Sequence, residues 1–153
     1  MTYEELLIQS DQENLIVKEK NIPGYRGRIF HDKIAIHKEI SSQIEKACVL
    51  AEELGHHHTS SGNILDQTNV NNRKQELRAR MWAYNELIGL RGIINAYEHG
   101  CSSMFDMAEY LEVTEKFLSD CIENYRSKYG VSTVVDNYYV IFIPNLIVGK
   151  IIT

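Results

Sequence analysis

At 153 residues, 44% of them hydrophobic, the chain is long enough for one packed core, with or without a small additional lobe. Its formal net charge of -5 argues against a broad nucleic-acid-binding surface. No apolar run approaches the ~20 residues of a membrane span, and Met1 to Lys20 lacks the basic start and apolar block of an export signal, so a cytoplasmic protein is expected. Cys48, Cys101 and Cys121 lie far apart with no C-x-x-C pairing, which leaves them as small core residues rather than a disulfide framework or thiolate zinc site.

In chain order, Tyr3 to Gln9 reads as a short helix and Leu15 to Val17 as a first strand after a polar break. Pro23-Gly24 marks a turn, and Arg28-Ile29-Phe30 with Ile34-Ala35-Ile36 reads as a hairpin around His31-Asp32-Lys33. Ser42 followed by Glu45 is a capping-box signature, so a helix is expected to begin there. Ile44, Ala47, Cys48, Ala51 and Leu54 then form its core-facing stripe. Ser60 to Asn72 has loop composition, and Asn72 with Gln75 opens a further helix through Trp82 to about Leu87. Gly89, Gly92 and Gly100 punctuate the stretch beyond that helix. Phe105 to Leu111 and Thr114 to Tyr129 read as two helices, the second capped by Thr114 and ended by Gly130; Asp106 to Phe117 resembles a helix-turn-helix, and Val134 to Ile143 reads as a hairpin turning at Asp136-Asn137. The apolar tail Leu146 to Ile152 is expected to complete the core.

The chemistry concentrates in Glu52-Glu53-Leu54-Gly55-His56. The string has the form of a zinc-peptidase H-E-x-x-H helix with its first histidine replaced by Glu52. Residues at i and i+4 project from one helix face, and the glutamate between them lies beside the metal, where it handles protons. A solvated polar helix face is the plainer reading of so short a string. His57 stands about 100° round the helix from His56 and is an alternative donor or a neighbour of the ligands. Asp66 is a further carboxylate to consider, and Tyr84, His99 and Arg78 are oxyanion donors by chemistry alone. The strand Ile34 to Ile36 is placed to pair with an extended peptide.

Pro23 to Ile36, Leu50 to His56 and Glu76-Leu77-Arg78-Ala79-Arg80-Met81-Trp82-Ala83, in that order, resemble the ImmA/IrrE family of metallopeptidases. They match its hairpin, its H-E-L-G-H segment and its E-x-x-A-x-x-F-A helix, with Trp82 in place of phenylalanine. The resemblance implies an α+β fold: a zincin-like core over 1–98 and a C-terminal helical, helix-turn-helix-like lobe with a terminal β-hairpin over 99–153, packed on it or continuous with it. It implies that His56 and Glu76 are metal ligands, that Glu52 takes the first ligand position, and that Glu53 is the general base. Zn2+ is the expected cofactor, with Mn2+ or Fe2+ as alternatives because Glu52 adds a second anionic oxygen donor. The implied activity is endopeptidase cleavage of a repressor-type protein encoded by a prophage or mobile element.

Two other readings stay open. One is a degenerate relative that binds a repressor without cutting it. The other is a DNA-binding regulator using Asp106 to Tyr129, against which stand the net acidity of residues 100–153 and the presence of Glu115, Asp120 and Glu123 on the would-be recognition helix. Neither membrane association nor direct nucleic-acid binding is expected.

Overall fold

The computed structural model describes residues 1–60 and 69–152, which form a mixed α+β structure that divides into two compact units, Met1–Glu86 and Leu87–Thr153. Asp66 and the stretch 61–68 of the expected loop lie outside the described residues.

The first unit opens with helix α1 (Tyr3–Gln12), fixed at its start by a reciprocal capping box between Thr2 and Glu5. Strands β1 (Ile16–Lys20), β2 (Gly27–Phe30) and β3 (Lys33–His37) form one sheet in the order β1-β3-β2. β3 is parallel to β1 and antiparallel to β2. The expected hairpin is therefore present, but Ile34 to Ile36 is the middle strand with both edges already paired. It has no edge left for a peptide, and among the described residues the open edge on the hairpin side belongs to β2.

Helix α2 (Gln43–Thr59) begins where its capping signature places it, with the Ser42 hydroxyl accepting from the Glu45 amide at 3.2 Å. Its first turn departs from the expected stripe, since Ile44 is 40% exposed, whereas Ala47, Cys48, Ala51 and Leu54 are buried. Val49, Leu50 and Glu53 are buried as well, so α2 is enclosed on more than one side. The sheet supplies one wall: its inner face carries Ile34 and Ile36, both buried, and β2 and β3 pack on α2. The other wall includes α1 and, at Gly55, helix α3 (Asn69–Leu87). α3 starts before Asn72, which shortens the expected loop. Glu19 on β1 pairs with Lys46 on α2 at 2.7 Å, and the same lysine lies over the ring of buried Tyr3. Burial and Glu19 push the Tyr3 phenol up to about 12, so it stays neutral.

The second unit contains α4 (Gly89–His99), α5 (Met104–Leu111), α6 (Glu115–Tyr129) and an antiparallel sheet β4 (Ser132–Val135), β5 (Tyr138–Ile141), β6 (Ile147–Lys150). The glycine punctuation hid α4: Gly92 lies inside it, and Gly100, at φ 94°, caps its end. Thr114 caps α6 through the Phe117 amide, and Gly130 closes it. The hairpin turns at Asp136, which has φ 55°, and the apolar tail adds β6 as a third strand. Ile93, Ile94, Leu118, Tyr125, Val140 and Phe142 fill this core.

Among the described residues no helix is long and apolar enough to cross a membrane. Cys48 and Cys121 are buried and Cys101 partly so, and none of the three is in a disulfide.

Candidate active site

Gly55 and Ala79 bring the two halves of the candidate site together. A Cβ on Gly55 would overlap the backbone carbonyl of Ala79, so α2 and α3 approach as closely as backbones allow only because residue 55 has no side chain and residue 79 has a small one. Three residues before Ala79, Glu76 then meets His56, the residue after Gly55. The Glu76 Oε1 and His56 Nε2 atoms are 3.3 Å apart.

Gly27 does the corresponding work on the sheet side. It sits on the inner face of β2, opposite Ile36, and a Cβ there would stand 2.6 Å from Val49 Cγ1, 3.0 Å from Glu53 Cγ and 3.2 Å from Glu53 Oε1. The edge strand thereby lies directly on Glu53, the one charged side chain among the buried described residues, at 9% exposure. Burial, then the nearby Glu52 and Glu76 carboxylates, raise its pKa from 4.5 to about 8. Glu52 and His56 are half-buried on α2, and Glu76 is exposed on α3.

The other histidines are placed differently. α2 continues past Gly55 to Thr59, so His57 is turned away from His56, exposed, with its ring edge-on to His58 at 5.1 Å. His58 stacks on Trp82 at 4.6 Å and contacts Glu13 through Nε2 at 3.0 Å, tying the end of α1 to α2 and α3. Of the oxyanion donors considered, Tyr84 is 2% exposed and belongs to the core, and His99 stacks on Tyr110 in the second unit. Neither of the glycine contacts was anticipated from the sequence. A glycine in the middle of a helical stripe, with a small residue three positions after a glutamate, was the available signal.

A metal suits this donor set in kind. Zinc ligands at about 2.0–2.2 Å in a tetrahedron stand roughly 3.3–3.5 Å apart, which matches the His56–Glu76 separation. Burial, with two neighbouring carboxylates, favours the protonated form of Glu53, and a cation at this place relieves that bias. The third donor is not closed in: among the described residues no three histidine, cysteine, aspartate or glutamate side chains form a metal-holding group.

A peptidase family model, described as the IrrE N-terminal-like domain, matches residues 13–138, and neither a curated protein nor a solved structure matches the chain significantly. The match takes in the hairpin, the Glu52–His56 turn and Glu76 together, so the chain belongs to the IrrE N-terminal-like peptidase family, whose members are metallopeptidases of the zincin-like type with protein substrates.

Proposed function

We propose that the chain is a metal-dependent endopeptidase of a repressor-type protein. The convergence of His56 and Glu76 on either side of a 3.3 Å gap, beside buried Glu53, is the observation that carries the reading. His56, Glu76 and Glu52 are the residues that would hold the metal. When bound, it supplies Lewis acidity toward the scissile carbonyl and water. Two carboxylates with one imidazole make Mn2+ and Fe2+ stronger competitors of Zn2+ than a two-histidine set would.

Glu53 is the proton carrier in this reading. Its carboxylate takes a proton from the attacking water as the oxygen adds to the carbonyl carbon, then delivers it to the amide nitrogen as the C–N bond breaks, leaving a carboxyl and an amine. Gly27 holds the edge strand against Glu53 and keeps bulk water from its inner side. The open edge of β2 is suited to align an extended substrate by main-chain pairing. The resemblance to the ImmA/IrrE family supports the choice of a repressor as substrate.

The test uses the repressor-type protein encoded nearest to this chain. Glu53→Gln is expected to retain metal, measured by mass spectrometry on protein purified without chelator, while cleavage falls by about 10²–10⁴-fold. Cleavage by the variant at the wild-type rate would falsify the assignment of Glu53. A second reading rests on the incomplete donor group: a relative that grips the same protein without cutting it. No bound metal together with tight, uncut repressor would decide for that reading.

A further inference from the structure

The β1-β3-β2 sheet has two unlike faces. Strand alternation turns Val17, Glu19, Ile29, Ile34 and Ile36 inward, and Glu19, the one carboxylate of the three strands, is matched there by Lys46. The outward rows are set by the register: Ile16, Lys33 and Phe30 in one, Lys18, Ala35 and Arg28 in the next, with Lys20 beyond.

These residues line an open cavity of about 410 Å³ with four cations and no carboxylate, in a chain whose net charge is -5. Phe30 is 70% exposed at one end and Ile16 45% exposed at the other. Lys18, Lys20 and Lys33 enter no ion pair among the described residues, and Arg28 lies over the Tyr25 ring at 4.7 Å. Like charges on neighbouring positions of one sheet face destabilise it. Here they surround apolar side chains that remain in water.

We propose that this outer face is a docking surface for an acidic protein segment that presents carboxylates and apolar side chains on one and the same face. An extended segment in which a carboxylate and an apolar side chain take turns at every second position sets carboxylates toward Lys18, Lys20, Arg28 and Lys33 while its apolar residues cover Ile16 and Phe30. A single-stranded nucleic acid suits the face less well. Its floor is mostly aliphatic, and the Tyr25 ring is already engaged by Arg28, so Phe30 alone offers a stacking plane. The surface is opposite the inner face that carries Gly27 and does not depend on peptide hydrolysis.

The test titrates the full chain with a fluorescent peptide in which glutamate and leucine take turns at every second position, separated by serine. An oligo-thymidine strand, phosphatidylserine vesicles and the peptide with lysine in place of glutamate are run in parallel. The acidic peptide is expected to bind, more weakly as salt is raised. Affinity is expected to fall about tenfold in Lys18→Glu/Arg28→Glu, and to stay unchanged in Lys38→Glu, which lies in the turn after β3. Should the double reversal fail to fold by circular dichroism, the neutral pair Lys18→Gln/Lys33→Gln is expected to weaken binding in the same direction, and Phe30→Ser likewise. The proposal is overturned if the acidic peptide does not bind, if folded variants bind it as tightly as wild type, or if the oligonucleotide or the vesicles bind more tightly than the peptide.

Discussion

Both units bury titratable groups, with opposite consequences. In the second, the Cys121 thiol is pushed up to about 12 by burial, and the Tyr125 phenol beside it is raised further by burial and by Cys121. Both groups are neutral in water at neutral pH, so burying them changes no charge. In the first, burial and two neighbouring carboxylates hold the Glu53 acid at about 8, well above the 4.5 at which it titrates when exposed. The second unit thus buries polar groups compatibly with stability, whereas the first keeps a carboxyl group in a place that favours its protonated form.

The sharpest test of that contrast is steric. Gly55→Ala places a methyl group in the Ala79 carbonyl, so α2 and α3 must part, with a loss of about 1–3 kcal/mol in urea denaturation. The His56–Glu76 approach is expected to go with it, seen as lost metal retention. In the second unit the added methyl of Gly92→Ala meets the flexible end of Leu111 at 3.3 Å, and Ala suits a helix better than Gly. That variant is expected to gain up to about 1 kcal/mol. Equal destabilisation at the two positions would remove the distinction between a glycine used for close approach and one merely tolerated.

The contrast also has a pH signature in metal-free protein. Between pH 4.5 and about 8 the folded chain keeps the Glu53 proton that the unfolded chain has released. The stability contributed by the raised pKa is therefore fully present below 4.5 and lost as pH rises toward 8, at no more than about 1.4 kcal/mol per pH unit. Glu53→Gln, which cannot ionise, is expected to flatten that slope and to be the more stable protein near pH 8. Tyr125→Phe is expected to change stability by the same amount at about pH 5 and about pH 8, since Tyr125 stays neutral at both. A parallel pH slope in wild type and Glu53→Gln would show that Glu53 ionises freely.

Local signals made much of this architecture legible. Ser42, Thr114 and Gly130 each announce a helix end by side-chain chemistry or its absence, and the Asp136-Asn137 pair announces a turn, so α2, α6 and the β4–β5 hairpin can be read from the sequence. α4 could not, because Gly92 reads as a breaker unless one knows that Leu111 fills the space beside it. The order β1-β3-β2 is equally hidden: a hairpin shows which strands are adjacent, while the parallel docking of β1 on β3 is a long-range choice. At the site, spacing placed Glu52, Glu53 and His56 on one helix. The arrival of Glu76 at His56 depends on Gly55 and Ala79 matching across two helices, which no single-helix pattern encodes.

The smallest expected effect separates two contacts of the same chemistry. His56 and His58 lie two residues apart on α2 and each reaches a glutamate, Glu76 at 3.3 Å and Glu13 at 3.0 Å. The surroundings differ. The His58 ring is covered by Trp82, and Glu13 adjoins the end of α1, so the pair joins three helices at a partly exposed position. Such a pair contributes under about 1 kcal/mol. Glu13→Gln is expected to lower the urea midpoint slightly and leave metal content at the wild-type level. Glu76→Gln removes a donor beside buried Glu53 and is expected to lower metal content while leaving the stability of the metal-free protein within about 0.5 kcal/mol of wild type. If Glu13→Gln instead strips the metal and Glu76→Gln does not, the centre lies at His58, and the role assigned to Gly55 in bringing Glu76 to His56 loses its purpose.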